Sequence, residues 1–177
     1  MRVTGGEFRS RRLKSVPGEA TRPTSDRLRE TVFDILAARI QGATFADAYA
    51  GTGAVGIEAL SRGAAHVYFL EKNRVALEAI RENLESLKLA ARATVVSGPV
   101  ARTLGRYRAD IVFVDPPYAL EREYAAVFEV LAGSPPGLTI VQHSVHLTLP
   151  KAAGLEHMRD VRQGDNVLSF YVCGAGW

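Results

Sequence analysis

Five short apolar runs, separated by stretches of helical period, constrain this chain more than any other feature. The runs cover 44–49, 66–70, 94–97, 110–114 and 138–142, and the helical stretches cover 54–61, 74–87, 100–106 and 121–131. Strands joined by helices need crossover connections, so they lie parallel in one sheet covered on both faces. The tail differs: 154–162 and 167–173 flank Gly164-Asp165-Asn166, a hairpin turn, so the sheet should end in an antiparallel pair. The expected fold is α/β, a single-domain, open, Rossmann-like sheet whose ligand lies where the strand order reverses. The 177 residues suit one domain with a substantial core. A helix should precede the sheet, capped by Thr24 or Ser25, with Asp26 in its first turn. Its buried stripe is read as Leu28, Val32, Ile35 and Leu36, its outer face as Arg27, Glu30 and Asp34.

The first strand runs into Asp47-Ala48-Tyr49-Ala50-Gly51-Thr52-Gly53-Ala54-Val55-Gly56. Gly51, Gly53 and Gly56 form G-x-G-x-x-G at a strand end, opening a helix. Glycine there permits a tight turn and lets a ligand approach backbone N–H groups. Glu71 ends the next strand, 20 residues after Gly51, where a carboxylate accepts hydrogen bonds from both hydroxyls of a ribose. Together these residues imply an adenosine-containing cofactor.

Two details favour S-adenosylmethionine over NAD. Asp47, four residues before Gly51, suits the ammonium of a methionine moiety, directly or through water, and would repel a pyrophosphate. The second detail is Asp115-Pro116-Pro117-Tyr118, directly after the apolar Ile111-Val112-Phe113-Val114. Two prolines remove two N–H donors and stiffen the turn. What remains is a carboxylate and carbonyl oxygens, a cradle of acceptors that complements a planar amine with two hydrogens to donate. Tyr118 offers a flat face on which a base can stack. An NAD-dependent oxidoreductase would need a second domain for its hydride acceptor and would leave this turn without a role.

Charge adds a partner class. The net charge is +3, but residues 1–40 hold nine Arg/Lys against five Asp/Glu. Arg2, Arg9, Arg11, Arg12 and Lys14 crowd the start beside Glu7 alone, which reads as a flexible basic arm, residues 1–23, on a core spanning 24–177. Clustered cations of this kind serve a phosphate backbone, and a solvated tail is the bland alternative. No apolar run is long enough to span a bilayer, and the first residues carry no secretory pattern. The single cysteine, Cys173, fits a reducing cytoplasm and excludes both an internal disulfide and a two-cysteine metal site. It reads as a small buried residue of the last strand. His143 and His146 lie at a strand end with no third ligand evident, so no metal is expected.

The stretch from Asp47 to Ala64 (DAYAGTGAVGIEALSRGA), followed by Asp115-Pro-Pro-Tyr118, resembles the RsmD family of 16S ribosomal RNA guanine-N2 methyltransferases. The openings Gly5-Gly-Glu-Phe-Arg-Ser-Arg-Arg-Leu13 and Thr21-Arg-Pro-Thr-Ser-Asp-Arg-Leu-Arg-Glu30 are similar to that family too, and the likeness runs from residue 2 to about 172. It implies a seven-stranded class I methyltransferase sheet, S-adenosylmethionine as cofactor and 16S rRNA as substrate, either naked or in a partly assembled small subunit. By position it implies Tyr49, Ala50, Gly51, Thr52 and Gly53 as the methionine-side loop. Glu71, with Lys72 after it, falls at the ribose, and Asp115, Pro116, Pro117 and Tyr118 fall at the target amine. Arg22, Thr24, Asp26 and Arg27 fall near the site, while Arg9, Arg11 and Arg12 grip RNA.

One departure stands out. Where the family places an acidic residue near the adenine amine, this chain reads Ser97-Gly98-Pro99-Val100, so that contact is lost or passes to Ser97 or backbone. Two other activities use the same features: methylation of another exocyclic amine such as adenine N6, and a non-catalytic RNA-binding assembly factor. A monomer is the expectation. Asn83, in the helix 74–87, reads equally as a family position or as helix surface.

Overall fold

The computed structural model describes residues 1–16, 25–117, 121–151 and 153–173. After helix α1 (Asp26–Ile35), strands β1 (Thr44–Ala48), β2 (His66–Glu71), β3 (Ala93–Ser97), β4 (Ile111–Val114) and β5 (Leu138–Ser144) alternate with helices α2 (Ala54–Ser61), α3 (Arg74–Ser86), α4 (Val100–Thr103) and α5 (Glu121–Gly133). Strands β6 (Glu156–Gln163) and β7 (Asn166–Val172) close the chain. The sheet order is β3-β2-β1-β4-β5-β7-β6. The first five strands are parallel, and β7 runs antiparallel to both β5 and β6. The α/β sheet with a C-terminal antiparallel hairpin is thus the one expected.

Strand order reverses between β1 and β4, which pair from Phe45↔Ile111 to Ala48↔Val114. A crevice therefore opens beyond the carboxyl ends of β1 and β4, with β2 on its far side. Alternate residues of each strand feed two cores. Phe45, Phe69, Phe113 and Ile140 pack towards α1 and α2, while Ala48, Leu70, Val114 and Val141 pack towards α4 and α5. Of the two strands beside the crevice, β4 is apolar and buried at every position and β1 is buried from Phe45 to Ala48, with Asp47 its one buried charge, as strands covered on both faces are.

Differences from the expected elements have local causes. Strand β1 stops at Ala48 because Tyr49 turns left-handed (φ 67°). The helix expected over 100–106 is α4 followed by a 3₁₀ turn at Leu104–Arg106. Ser25 does cap α1, accepting from the Leu28 N–H at 3.2 Å. The buried face of α1, however, is Leu28, Arg29, Val32 and Phe33, and Ile35 is only partly buried. Cys173 is exposed, one residue past β7, rather than buried in that strand.

The N-terminal stretch departs furthest from expectation. Residues 1–16 are not a loose arm: Val3 and Leu13 are buried in the core, 1% and 6% exposed. Every residue of α2 is buried, including Glu58 and Ser61, so a helix without a wet face needs a cover. The segment supplies it. Thr4 N–H and Oγ1 and Gly5 N–H donate to the Glu58 carboxylate at 2.7–2.8 Å, and Phe8 N–H donates to Ser61 Oγ at 2.9 Å. Gly6 (φ 75°) lies so close that a Cβ there would fall 2.0 Å from the Ser61 carbonyl oxygen. Arg29, 1% exposed, locks the assembly by donating to the Arg2 carbonyl and to Asp26. Asn83 is buried and not on the helix surface. It accepts from Lys14 N–H at 2.7 Å and donates to the carbonyls of Lys14 and Thr52.

Candidate active site

The glycine turn is built by three glycines that divide two jobs. Tyr49 and Ala50 both donate their N–H groups to the Leu70 carbonyl at 3.0 Å, which bends the chain off β1 and against β2. Gly51 (φ 53°) completes the bend and faces open space, with nothing within 4 Å of where a Cβ would sit. Gly53 (φ 80°) is packed against Ile80 and Phe69, and a Cβ on Gly56 would lie 2.3 Å from Phe69 Cε1. So Gly51 presents the loop to a ligand, while Gly53 and Gly56 let α2 settle on the sheet. Ala50, Thr52 and Gly53 are buried in the loop's underside; Tyr49 and Gly51 are partly exposed.

Two carboxylates hold this turn. Asp47 lies beneath it, 2% exposed, with Oδ2 accepting from the Gly56 N–H at 2.8 Å. Burial, reinforced by nearby Glu71 and opposed by the Gly56 hydrogen bond, pushes its carboxyl up to about 7. Glu71 ends β2 alongside the loop. Its Oε2 accepts from Gly51 N–H at 2.9 Å, and its Oε1 accepts from the Lys72 and Asn73 N–H groups at 2.8 Å. Lys72 itself is exposed. A turn open at Gly51, beside a fixed and partly exposed carboxylate, could hold the sugar and chain of an adenosine-containing cofactor. At the end of β3, Ser97 is exposed and Gly98 N–H donates to the Glu71 carbonyl at 3.0 Å, and Ser97-Gly98-Pro99 carries no carboxylate.

The second wall of the crevice follows β4. Asp115 donates its N–H to the Ala48 carbonyl at 3.3 Å, directly beside the start of the glycine turn. Asp115 is partly buried, Pro116 buried and Pro117 exposed. Tyr118 lies outside the described residues, as do Arg22 and Thr24. The glycine turn, Glu71 and the Asp115-Pro116-Pro117 turn therefore share one crevice, as their placement at adjacent strand ends requires.

Of the cations assigned to RNA, Arg9, Arg11, Arg12 and Arg27 are all exposed, and none forms an ion pair among the described residues. Lys14 is engaged with Glu82. Among the described residues no three His, Cys, Asp or Glu side chains group as a metal site, and no helix is long and apolar enough to cross a membrane. His143 bonds instead to Ser169 Oγ and the Ser144 carbonyl.

Sequence reasoning missed Glu123 as a partner of the site and Glu58 and Arg29 as the residues that fix the N-terminal segment on α1 and α2, and it left Asn83 open between two readings. Glu58 had a readable signal, since α2 has no polar face and Glu58 is its lone charge. Glu123 had none: it lies 74 residues from Tyr49, whose hydroxyl donates to Glu123 Oε2 at 2.6 Å.

Strand order, the antiparallel β7 and the crevice between β1 and β4 define the class I methyltransferase fold. The yhhF protein of Escherichia coli shares it with a TM-score of 0.82 at 35% identity, over 99% of both chains. The family model described as conserved hypothetical protein 95 matches residues 1–172, and the chain belongs to that family, the RsmD family. Ribosomal RNA small subunit methyltransferase D of Escherichia coli strain K12 is 42% identical over 120 residues, which span 67% of this chain and 60% of that relative. YlbH of Bacillus subtilis is 32% identical over 166 residues, 87% of this chain and 88% of its own length.

Proposed function

We propose that this protein transfers a methyl group from S-adenosylmethionine to the exocyclic N2 amine of a guanine in 16S ribosomal RNA, naked or within a partly assembled small subunit. The observation that carries this reading is the juxtaposition, across the β1–β4 reversal, of an open glycine turn with Glu71 and an acceptor-only turn at Asp115. The likeness to a small subunit rRNA methyltransferase supports the choice of RNA.

The residues assign themselves roles. Tyr49 to Gly53 line the methionine side, with Asp47 holding the loop from beneath through the Gly56 N–H, and Glu71 takes the ribose hydroxyls. The cofactor supplies an electrophilic methyl group on a sulfonium. Guanine N2 is a weak nucleophile because its lone pair is delocalised into the ring. Hydrogen bonds from the amine to the Asp115 carboxylate and the Pro116 carbonyl turn that lone pair out of conjugation. They strengthen as positive charge grows on nitrogen, so they favour the transition state over the ground state. Asp115 then holds the proton that the amine loses. The base leaves its stack to reach the turn, and Tyr118 stacks on it. Arg9, Arg11, Arg12, Arg22 and Arg27, with Thr24, contact the RNA backbone.

The test is transfer of a labelled methyl group to naked 16S rRNA, to small subunits lacking the modification and to duplex DNA, with the labelled nucleoside identified after digestion. Label in N2-methylguanosine is the expected result. Label in N6-methyladenine would keep the cradle and overturn the base, and absence of any label would overturn methyl transfer.

A further inference from the structure

The dipeptide Ala48-Tyr49 bonds to the chain on either side of the acceptor turn. At its start, the Ala48 carbonyl accepts the Asp115 N–H at 3.3 Å. Further along the chain, the first turn of α5 carries Glu123, whose Oε2 accepts the Tyr49 hydroxyl at 2.6 Å. The same dipeptide is fixed to the other wall, because Tyr49 N–H donates to the Leu70 carbonyl, next to Glu71. Tyr49 does this from a left-handed backbone (φ 67°), a conformation an aromatic side chain adopts only when its surroundings impose it. Burial and the Glu123 carboxylate push its phenol upwards, so it stays protonated and a donor.

We infer that the Tyr49–Glu123 hydrogen bond is a clasp that sets the acceptor turn against the cofactor loop, making both positioning residues for methyl transfer. This rests on the methyl-transfer reading above and adds to it a specific link between the two substrates. Neither residue needs to touch the reacting atoms. Their effect is to fix the distance between the loop that begins at Tyr49 and the carboxylate of Asp115. Misplacement by about 1 Å is enough to cost a rate factor on the order of one hundred, so a lost clasp is a rate effect rather than a binding effect. Phosphate contacts on the exposed arginines govern RNA affinity, and the clasp does not contribute to them.

The test uses the full chain with saturating cofactor and RNA in single-turnover methyl transfer. Tyr49→Phe keeps the ring and the backbone and removes only the donor. Its rate should fall about tenfold, while the cofactor Kd and the RNA KM stay within about twofold. Glu123→Ala should show the same loss, and the double variant should fall no further, since both changes break one bond. Glu123→Gln, which keeps an acceptor oxygen, should recover most of the rate. Parent-like transfer by Tyr49→Phe overturns the clasp alone. Rate losses that multiply in the double variant overturn it too. No transfer by the parent protein overturns the methyl-transfer reading, and the positioning role with it.

Discussion

The two walls of the crevice are held in different ways. The cofactor wall satisfies itself: Asp47 grips Gly56, Glu71 grips Gly51, Lys72 and Asn73, and Leu70 takes the N–H groups of Tyr49 and Ala50. The acceptor wall borrows its position through Ala48 and Tyr49, at the Asp115 N–H and at Glu123. A turn with two consecutive prolines has few donors of its own, so it cannot build an internal hydrogen-bond ladder. Its stiffness comes from proline rings and its placement from a neighbour. The contrast suits an enzyme that must bind one small ligand tightly and present a second, much larger one.

The contrast predicts that each wall fails separately. Asp115→Ala removes the acceptor wall's carboxylate, and turnover should fall on the order of 10²- to 10³-fold in steady-state transfer assays. Glu71→Ala damages the cofactor wall. Cofactor affinity measured by calorimetry should weaken about 10- to 100-fold, with the rate at saturation changed only a few-fold. Replacing Arg9, Arg11 and Arg12 together by Ala should reduce the slope of log affinity for RNA against log salt by about two, leaving cofactor affinity as it was. A slope equal to the parent's would make these arginines a solvated face.

The smallest effect is on stability. The Asp47 carboxyl titrates near 7 in the folded protein against 3.8 for an ordinary aspartate, so the native state holds a proton that the unfolded state has lost. That contribution is full below pH 3.8 and lost as pH rises through about 7. Asp47→Asn keeps an acceptor for the Gly56 N–H and has no proton to lose. Its urea midpoint should decline less than the parent's between about pH 5 and about pH 8. An equal decline would move the pH sensitivity elsewhere.

The sheet was legible because its signals are local. Apolar runs, helical period and glycine at a strand end are read within a dozen residues, and all seven strands fall where that reading puts them. The same signals brought Gly51, Glu71 and Asp115 to one crevice. What escaped depends on distant partners. Arg2 to Lys14 read as a flexible basic arm because charge counts carry no information about the backbone, and it is backbone N–H groups that bind Glu58, Ser61 and Asn83. Arg29 sits in the stripe of α1 because Glu58 and Asp26 lie beside it, a fact visible only once α1 packs on α2. Asp47 was placed at the right strand end, but its depth under the loop follows from Gly56 being close enough to donate to it. The Tyr49–Glu123 contact joins positions too far apart in the chain for any periodicity to connect.

The most direct test of two separately held walls is equilibrium binding of S-adenosylmethionine to Asp115→Ala in the absence of RNA. A Kd within about twofold of the parent's is expected, because Asp47, Glu71 and the Leu70 carbonyl hold the cofactor wall. A Kd weakened tenfold or more would contradict it, and would make the crevice one coupled site.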